Sequence, residues 1–181
     1  MTQIPLFQPP SEWTPPEKIP DLSDAKEIAI DLETCDPSIK TKGPGWTRDE
    51  GFIAGVAIAV EGWKGYFPIR HEGGGNFDEK IIKRQVQRIM DLPCDKVFHN
   101  AAYDVGWLRW WGVEVKGKII DTLVAAPLID ENRFRYNLND LGRDYLKETK
   151  SEALLYEAAK EWGLDAKGEM YKLPPMYVGS Y

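Results

Sequence analysis

Alternation of apolar and polar residues predicts three strands in the first third of the chain. Residues 27–32 form an apolar-rich run that is typical of a buried strand. Residues 52–60 alternate between apolar and small residues and predict a second strand. The Glu61-Gly62 pair is typical of a tight turn, so residues 63–69 should return as the third strand of an antiparallel meander.

The rest of the chain alternates between helical periodicity and short apolar runs. Asn76 should cap a helix over residues 77–91, because apolar residues recur there on one helical face. Further short strands are predicted at residues 96–99 and 119–120. Further helices are predicted over residues 100–111, 121–129, 138–146 and 151–162. A meander followed by strand–helix alternation predicts an α/β fold with a mixed sheet and flanking helices.

The N-terminal segment differs in composition from the rest of the 181-residue chain, whose length suits one domain. Residues 1–22 are predicted to form a proline-rich arm, either a linker from an upstream segment or a packed tail. The folded domain is expected over residues 23–181. Six prolines mark the arm: Pro5, Pro9, Pro10, Pro15, Pro16 and Pro20.

The net charge of -6 excludes a broad basic surface that holds nucleic acid by phosphate contacts alone. It does not exclude a nuclease, because carboxylates gathered in a cleft can bind divalent cations that invert the local field. Two cysteines and two histidines at unrelated spacings do not match a zinc site and indicate free thiols in a reducing compartment. We expect neither a signal peptide nor a membrane span.

Two carboxylates, Asp31 and Glu33, lie at the end of the first predicted strand. Successive side chains point to opposite faces of a strand, so residues two apart share a face. Like charges placed so close repel unless a cation lies between them, and their hard oxygen atoms suit Mg²⁺ or Mn²⁺. A solvated strand end is the simpler interpretation, but the buried run over residues 28–30 would fix both side chains rigidly.

A second polar pair opens the helix predicted from residue 100. Asn100 and Asp104 are four residues apart and therefore share one helical face. The structural interpretations are a helix cap at Asn100 and a solvated first-turn acid at Asp104. Apolar neighbours such as Val105 and Trp107 surround Asp104, which is an unusual setting for a carboxylate without a function.

These residues resemble two motifs of one enzyme family. Residues 28–34 (IAIDLET) resemble the first motif of the DEDD (DnaQ-like) 3′→5′ exonucleases, and residues 99–108 (HNAAYDVGWL) resemble the second. The similarity extends from about residue 26 to the end and is strongest to the proofreading exonuclease domains of phage-type family A DNA polymerases. It implies an RNase H-like mixed sheet, in which a three-strand antiparallel meander continues into parallel strands.

The third motif of the tyrosine subtype of this family is Tyr-x-x-x-Asp on a late helix. Tyr181 is the last residue of the sequence and matches the tyrosine, so the aspartate would fall four positions beyond it. The domain is therefore interpreted as C-terminally truncated, and an ordinary terminal aromatic residue is the alternative. With an incomplete ligand set, the chain alone is expected to bind metal weakly and to degrade DNA slowly or not at all.

The resemblance implies a two-metal hydrolysis with two divalent cations, Mg²⁺ or Mn²⁺. Asp31, Glu33 and Asp104 would be the metal ligands and, with Tyr181 to orient the attacking water, the catalytic residues. Contacts to the terminal nucleotide are implied for Leu32, Thr34, Asn100 and Tyr103.

The implied substrate is the 3′ end of single-stranded or frayed DNA, and the implied partner is a polymerase domain in the full-length protein. The expected compartment is the cytoplasm of a bacterial or phage-infected cell. A stand-alone RNase D-like exoribonuclease shares the same motifs and is an alternative. A nuclease-dead nucleic-acid-binding module is another, although such a module gains nothing from a cluster of repelling carboxylates. Residues 133–136 interleave arginine and aromatic residues, which fits either a single-strand contact or a solvated loop.

Overall fold

One mixed five-stranded sheet organises the fold. The computed structural model describes residues 4–181, so residues 1–3 of the predicted arm lie outside the described part. The strand order is β3-β2-β1-β4-β5, in which β1 is antiparallel to β2 and parallel to β4. This topology confirms the predicted α/β class and the meander that continues into parallel strands. The strands are β1 Glu27–Cys35, β2 Phe52–Val60, β3 Trp63–Pro68, β4 Asp95–Phe98 and β5 Ile119–Asp121.

Helices connect and flank these strands. The α-helices of the described residues are α1 Ile39–Lys42, α2 Glu79–Met90, α3 Ala101–Trp110, α4 Thr122–Ile129, α5 Leu138–Leu141, α6 Ala153–Trp162 and α7 Pro175–Val178. The helix predicted over residues 138–146 is α-helical only in α5, and a π-helical turn, Gly142–Leu146, follows it. Across residues 4–181, none of the helices combines the length and apolar character that a membrane span requires.

The predicted cap of α2 is wrong. Asp78 caps the helix, since its carboxylate accepts the backbone N–H of Ile81 at 3.0 Å. Asn76 instead closes the preceding loop, because its side-chain oxygen accepts the His71 N–H and its amide donates to the His71 carbonyl. Asn and Asp are both good capping residues, so composition alone does not choose between two candidates two positions apart.

The alternation along β1 separates two hydrophobic cores. Ile28, Ile30 and Leu32 are buried on one face, in a core that they share with α2 and α3. Asp31 and Glu33 point to the opposite face, where a second core surrounds Tyr66 and the helices α6 and α7. The sheet therefore presents both acids on the side that the C-terminal third of the chain covers.

The proline-rich arm is ordered by contacts with the C-terminal segment. The Tyr177 hydroxyl donates to the carbonyl of Pro9 at 3.0 Å, and Trp13 packs edge-on against Tyr66 with ring centroids 6.4 Å apart. Leu22, assigned to the arm from sequence, is only 6% exposed and belongs to the first core. Residues 4–22 contain no helix or strand, but they contribute to both cores.

Candidate active site

A cleft opens where β1 and β4 part. The two strands pair only through residues 27–29 and 95–97, so the second half of β1 has no neighbour on that side. In open α/β sheets, ligands bind in such crevices at the carboxyl ends of parallel strands, where the strand order changes direction. A cavity of about 690 Å³ lies here, and the polar residues that line it include Asp31, Glu33, His99, Lys150 and Tyr181.

Small residues on β2 stand opposite the two acids of β1. Asp31 is paired with Ala57 and Glu33 with Gly55, and the ring of Tyr66 occupies the space beside Gly55. The register shifts directly after Glu33, and pairing with β2 continues beyond this irregularity, from Thr34 with Ile53. Bulges of this kind are common beside active sites, where they redirect side chains.

Asp104 reaches the same strand from α3. Its side chain is almost fully buried, at 3% exposure, and its Oδ1 accepts the backbone N–H of Leu32 at 3.1 Å. That N–H is available because β4 has already ended and no longer pairs with this part of β1. The contact fixes the Asp104 carboxylate beside the backbone that joins Asp31 to Glu33.

The three carboxylates are crowded. Burial, together with the charge of Asp31, raises the pKa of Glu33 to about 8 and the pKa of Asp104 to about 8. The pKa of Asp31, which faces the open cleft, is also raised by its partial removal from water, although the charge of Lys150 opposes this. The protein therefore carries too little positive charge around these acids, as expected for a site that takes divalent cations.

The donor chemistry fits a hard cation. Carboxylate oxygens are preferred ligands of Mg²⁺ and Mn²⁺, and Asp31, Glu33 and Asp104 supply them. Within residues 4–181, no group of three or more His, Cys, Asp or Glu side chains is arranged so that it could hold a metal ion by itself.

Tyr181 lines the cleft with Asp31 and Glu33, and Lys150 lies beside it. The Lys150 ammonium donates to the Tyr181 hydroxyl at 3.0 Å and lies 4.2 Å from the centre of its ring. Sequence reasoning missed Lys150, because it follows the charged stretch 147–148 outside any periodic element or motif. No local signal distinguishes it from a solvated lysine.

His99 is a second residue of the cleft to which sequence reasoning gave no role. Its Nδ1 lies 2.9 Å from the Thr122 hydroxyl, which itself donates to the carbonyl of Phe98. With the hydroxyl proton donated to Phe98, Nδ1 of the ring donates to Thr122. Burial lowers the pKa of His99, which favours the neutral ring.

The sequence predicted a helix cap at Asn100, but the Asn100 side chain does not cap α3. Asn100 has a left-handed backbone, with φ of 76°, and its side chain makes no capping hydrogen bond. Asp121 provides the cap, since its carboxylate accepts the backbone N–H groups of Asn100 and Ala101 at 2.9 and 2.8 Å. The same carboxylate accepts the N–H of Leu123 and so also caps α4. Burial tends to raise the pKa of Asp121, but these donors hold it below its usual value.

We expect Asp121→Ala to destabilise the protein by about 2–3 kcal/mol, because one carboxylate caps two helices. Asp78→Ala is the matched control: it removes a single cap, from α2, and should cost about 1 kcal/mol. Urea denaturation of both variants measures the difference. Equal losses would contradict the double role of Asp121.

The four residues implied as nucleotide contacts do not line the cleft. Leu32 is packed in the first core, at 6% exposure, and Asn100 is exposed outside the cleft. The hydroxyl groups of Thr34 and Tyr103 form a hydrogen bond of 2.7 Å, and the Tyr103 hydroxyl also lies within donating distance of the Asp36 carboxylate. In this arrangement Thr34 and Tyr103 join α3 to the end of β1.

Residues 133–136, which interleave arginine and aromatic residues, are partly packed against the protein and partly exposed to solvent. Arg133 forms an ion pair with Asp144 at 2.6 Å and its side chain is only 15% exposed, so it is a structural residue. Phe134 is fully exposed, and the Tyr136 hydroxyl donates to the carbonyl of Asp130. Of the two aromatic side chains, Phe134 is the one left free for contact with a ligand.

Sequence comparison relates the chain to DNA polymerases. It is 37% identical over 187 aligned positions to a DNA-directed DNA polymerase of Pseudomonas phage M6. The match covers 99% of this chain and 28% of that polymerase, so the chain spans little more than a quarter of its relative. Further phage and bacterial DNA polymerases match at lower identity. No protein-family model matches the chain.

Comparison with solved structures shows a shared fold. The crystal structure of Trypanosoma brucei RNase D superposes with a TM-score of 0.59 at 18% identity, covering 87% of this chain and 53% of that protein. Brucella melitensis NrnC with bound Mg²⁺ superposes with a TM-score of 0.54 at 16% identity, covering 90% and 88%. Together with the polymerase relatives, this shared fold agrees with the resemblance inferred from the two motifs, that of a DEDD (DnaQ-like) 3′→5′ exonuclease domain of a DNA polymerase.

Proposed function

We propose that this chain is the proofreading exonuclease region of a DNA polymerase and hydrolyses the 3′-terminal phosphodiester of single-stranded or frayed DNA. The observation that carries the proposal is that Asp31 and Glu33 line a cleft with Tyr181, while the Leu32 N–H holds Asp104 against the strand that carries both acids. The polymerase relatives support it, since each is longer than the matching region. A polymerase domain is then the partner in a longer chain, and the cytoplasm of a bacterial or phage-infected cell is the compartment.

The acids are proposed to hold two divalent cations, Mg²⁺ or Mn²⁺. When bound, such cations lower the pKa of a water molecule and neutralise charge on the phosphate. Glu33 and Asp104 retain protons near neutral pH in the metal-free protein and would release them when they become ligands. The Leu32 N–H holds one oxygen of Asp104, which leaves its other oxygen free as a ligand.

Tyr181 is proposed to orient the attacking water. Its hydroxyl oxygen accepts a hydrogen bond from Lys150, so the hydroxyl proton must point elsewhere and can be donated. A donated proton fixes a water with a lone pair directed away from the tyrosine, as an attack on phosphorus requires. The wall of the cleft thus supplies a positioned donor close to the acids.

The proposed direction of digestion can be tested with a single-stranded DNA 20-mer that carries a label at its 5′ end. With Mn²⁺, we expect slow shortening in single-nucleotide steps from the 3′ end, and none when the terminal linkage is a phosphorothioate. Internal cleavage, or shortening that persists in Asp31→Asn, would contradict the proposal. An RNA of the same sequence tests the exoribonuclease alternative, which faster RNA digestion would favour.

A further inference from the structure

Lys150 brings a fixed positive charge to the wall of the cleft. Its ammonium donates to the Tyr181 hydroxyl at 3.0 Å, and its aliphatic stem places the charge 4.2 Å from the ring centre. The backbone N–H of Lys150 donates to the side-chain oxygen of Asn139 at 3.0 Å, which anchors the loop before α6. The side chain is half-buried, so its position is determined by contacts rather than by solvent.

The charge of Lys150 is not used in an ion pair. Within residues 4–181 no carboxylate lies within ion-pairing distance of its ammonium, and its hydrogen bond to Tyr181 leaves two N–H donors without an acceptor. Lys150, Asp31 and Glu33 line the same cavity, so the unpaired ammonium and both acids border one open space.

A gap between an ammonium and a pair of carboxylates suits one kind of ligand. The free N–H donors bind an anionic oxygen directly, while the carboxylates bind the same group only through cations. A phosphodiester meets both demands because it presents two non-bridging oxygens in different directions. A lysine that served only to neutralise the acids would contact them directly. Three other lysines of the chain do contact their partner carboxylates in this way.

We propose that Lys150 binds a non-bridging oxygen of the 3′-terminal phosphodiester and at the same time holds the Tyr181 hydroxyl in place. The inference rests on the proposed exonuclease function and assigns it a substrate-binding residue. Negative charge accumulates on the non-bridging oxygens as the phosphorus is attacked, so a preorganised ammonium also stabilises the transition state.

The test compares Lys150→Gln with Lys147→Gln, a matched control that removes the same charge from an exposed position three residues earlier. The probe is 5′-fluorescein-labelled (dT)₈, bound in Ca²⁺ and followed by anisotropy. In one version, a neutral methylphosphonate replaces the last phosphodiester. We expect Lys150→Gln to weaken binding of the phosphodiester probe about tenfold, because a hydrogen bond to a charged group is lost. Binding of the methylphosphonate probe should weaken less than about twofold, because the neutral group offers no charge to Lys150. Lys147→Gln should change neither, and Lys150→Arg should retain most of the affinity.

The outcomes separate this inference from the function on which it rests. Equal losses of affinity for both probes in Lys150→Gln, or no loss for either, would overturn the role of Lys150. The exonuclease function would still hold in that case if the wild-type protein binds the probes and shortens DNA from the 3′ end. If the wild-type protein binds neither probe and shortens no DNA, the proposed function itself fails. Circular dichroism checks that Lys150→Gln is folded, and Lys150→Met replaces it if it is not.

Discussion

Replacing Asp31 with asparagine is expected to reduce metal-dependent hydrolysis of DNA by at least about 100-fold, because bound cations contribute several kcal/mol to such reactions. The same variant should be more stable than the wild type in metal-free buffer. Asp31 is the charge that most raises the pKa of both Glu33 and Asp104, so its removal relieves repulsion in the site. We expect a gain of about 1 kcal/mol, or roughly 2–4 °C in melting temperature for a domain of this size.

Glu27→Gln is the matched control for Asp31→Asn. Glu27 lies on the same strand and the same face, four residues earlier, and does not line the cleft. It loses the same charge, so it reports any general effect of net charge on stability and DNA binding. Lower stability of Asp31→Asn in EDTA, or hydrolysis equal to that of Glu27→Gln, would contradict the role assigned to Asp31.

The metal-free protein should lose stability as the pH rises from about 5 to about 8. Glu33 and Asp104 have a pKa of about 8 in the folded protein, mainly because they are buried, whereas the ordinary values are 4.5 and 3.8. Between these limits the folded protein binds more protons than the unfolded chain, so the free energy of unfolding falls as protons are withdrawn. Each unit of pKa difference corresponds to about 1.4 kcal/mol per group, so the two acids together predict a loss of several kcal/mol over this range.

Urea denaturation at several pH values in EDTA measures this dependence. A Glu33→Gln and Asp104→Asn double variant should flatten it, because neither amide titrates. Millimolar Mn²⁺ should also reduce the slope, since the metal replaces the protons that stabilise the carboxylates. A free energy of unfolding that rises between pH 5 and pH 8 in the wild type would contradict the crowding of the acids.

The part of the site that is encoded locally can be predicted from sequence. The alternation along β1 fixes which side chains share a face, so the pairing of Asp31 with Glu33 follows from a period of two. The opposite burial of Ile30 and Asp31 in the structure agrees with that expectation. The antiparallel meander and the mixed sheet likewise follow from the short connections and the later strand–helix alternation.

Contacts between distant parts of the chain could not be predicted in this way. The hydrogen bond from the Leu32 N–H to Asp104 depends on where β4 stops pairing, and the cap of α3 comes from Asp121, twenty-one residues after Asn100. Neither partner is marked by a local pattern. Lys150 reaches the cleft for the same kind of reason, because α6 and α7 bring its loop and Tyr181 to the same face of the sheet.

Titration of Mn²⁺ against melting temperature tests most directly whether Asp31, Glu33 and Asp104 form a divalent-metal site. With a dissociation constant of about 1 mM, 10 mM Mn²⁺ should stabilise the wild type by about 1.4 kcal/mol, or roughly 3–5 °C. The double variant Asp31→Asn and Glu33→Gln should show no metal-dependent rise, whereas Glu27→Gln should follow the wild type. An equal rise in the double variant, or none in the wild type at any millimolar concentration, would contradict the assignment of these acids as metal ligands.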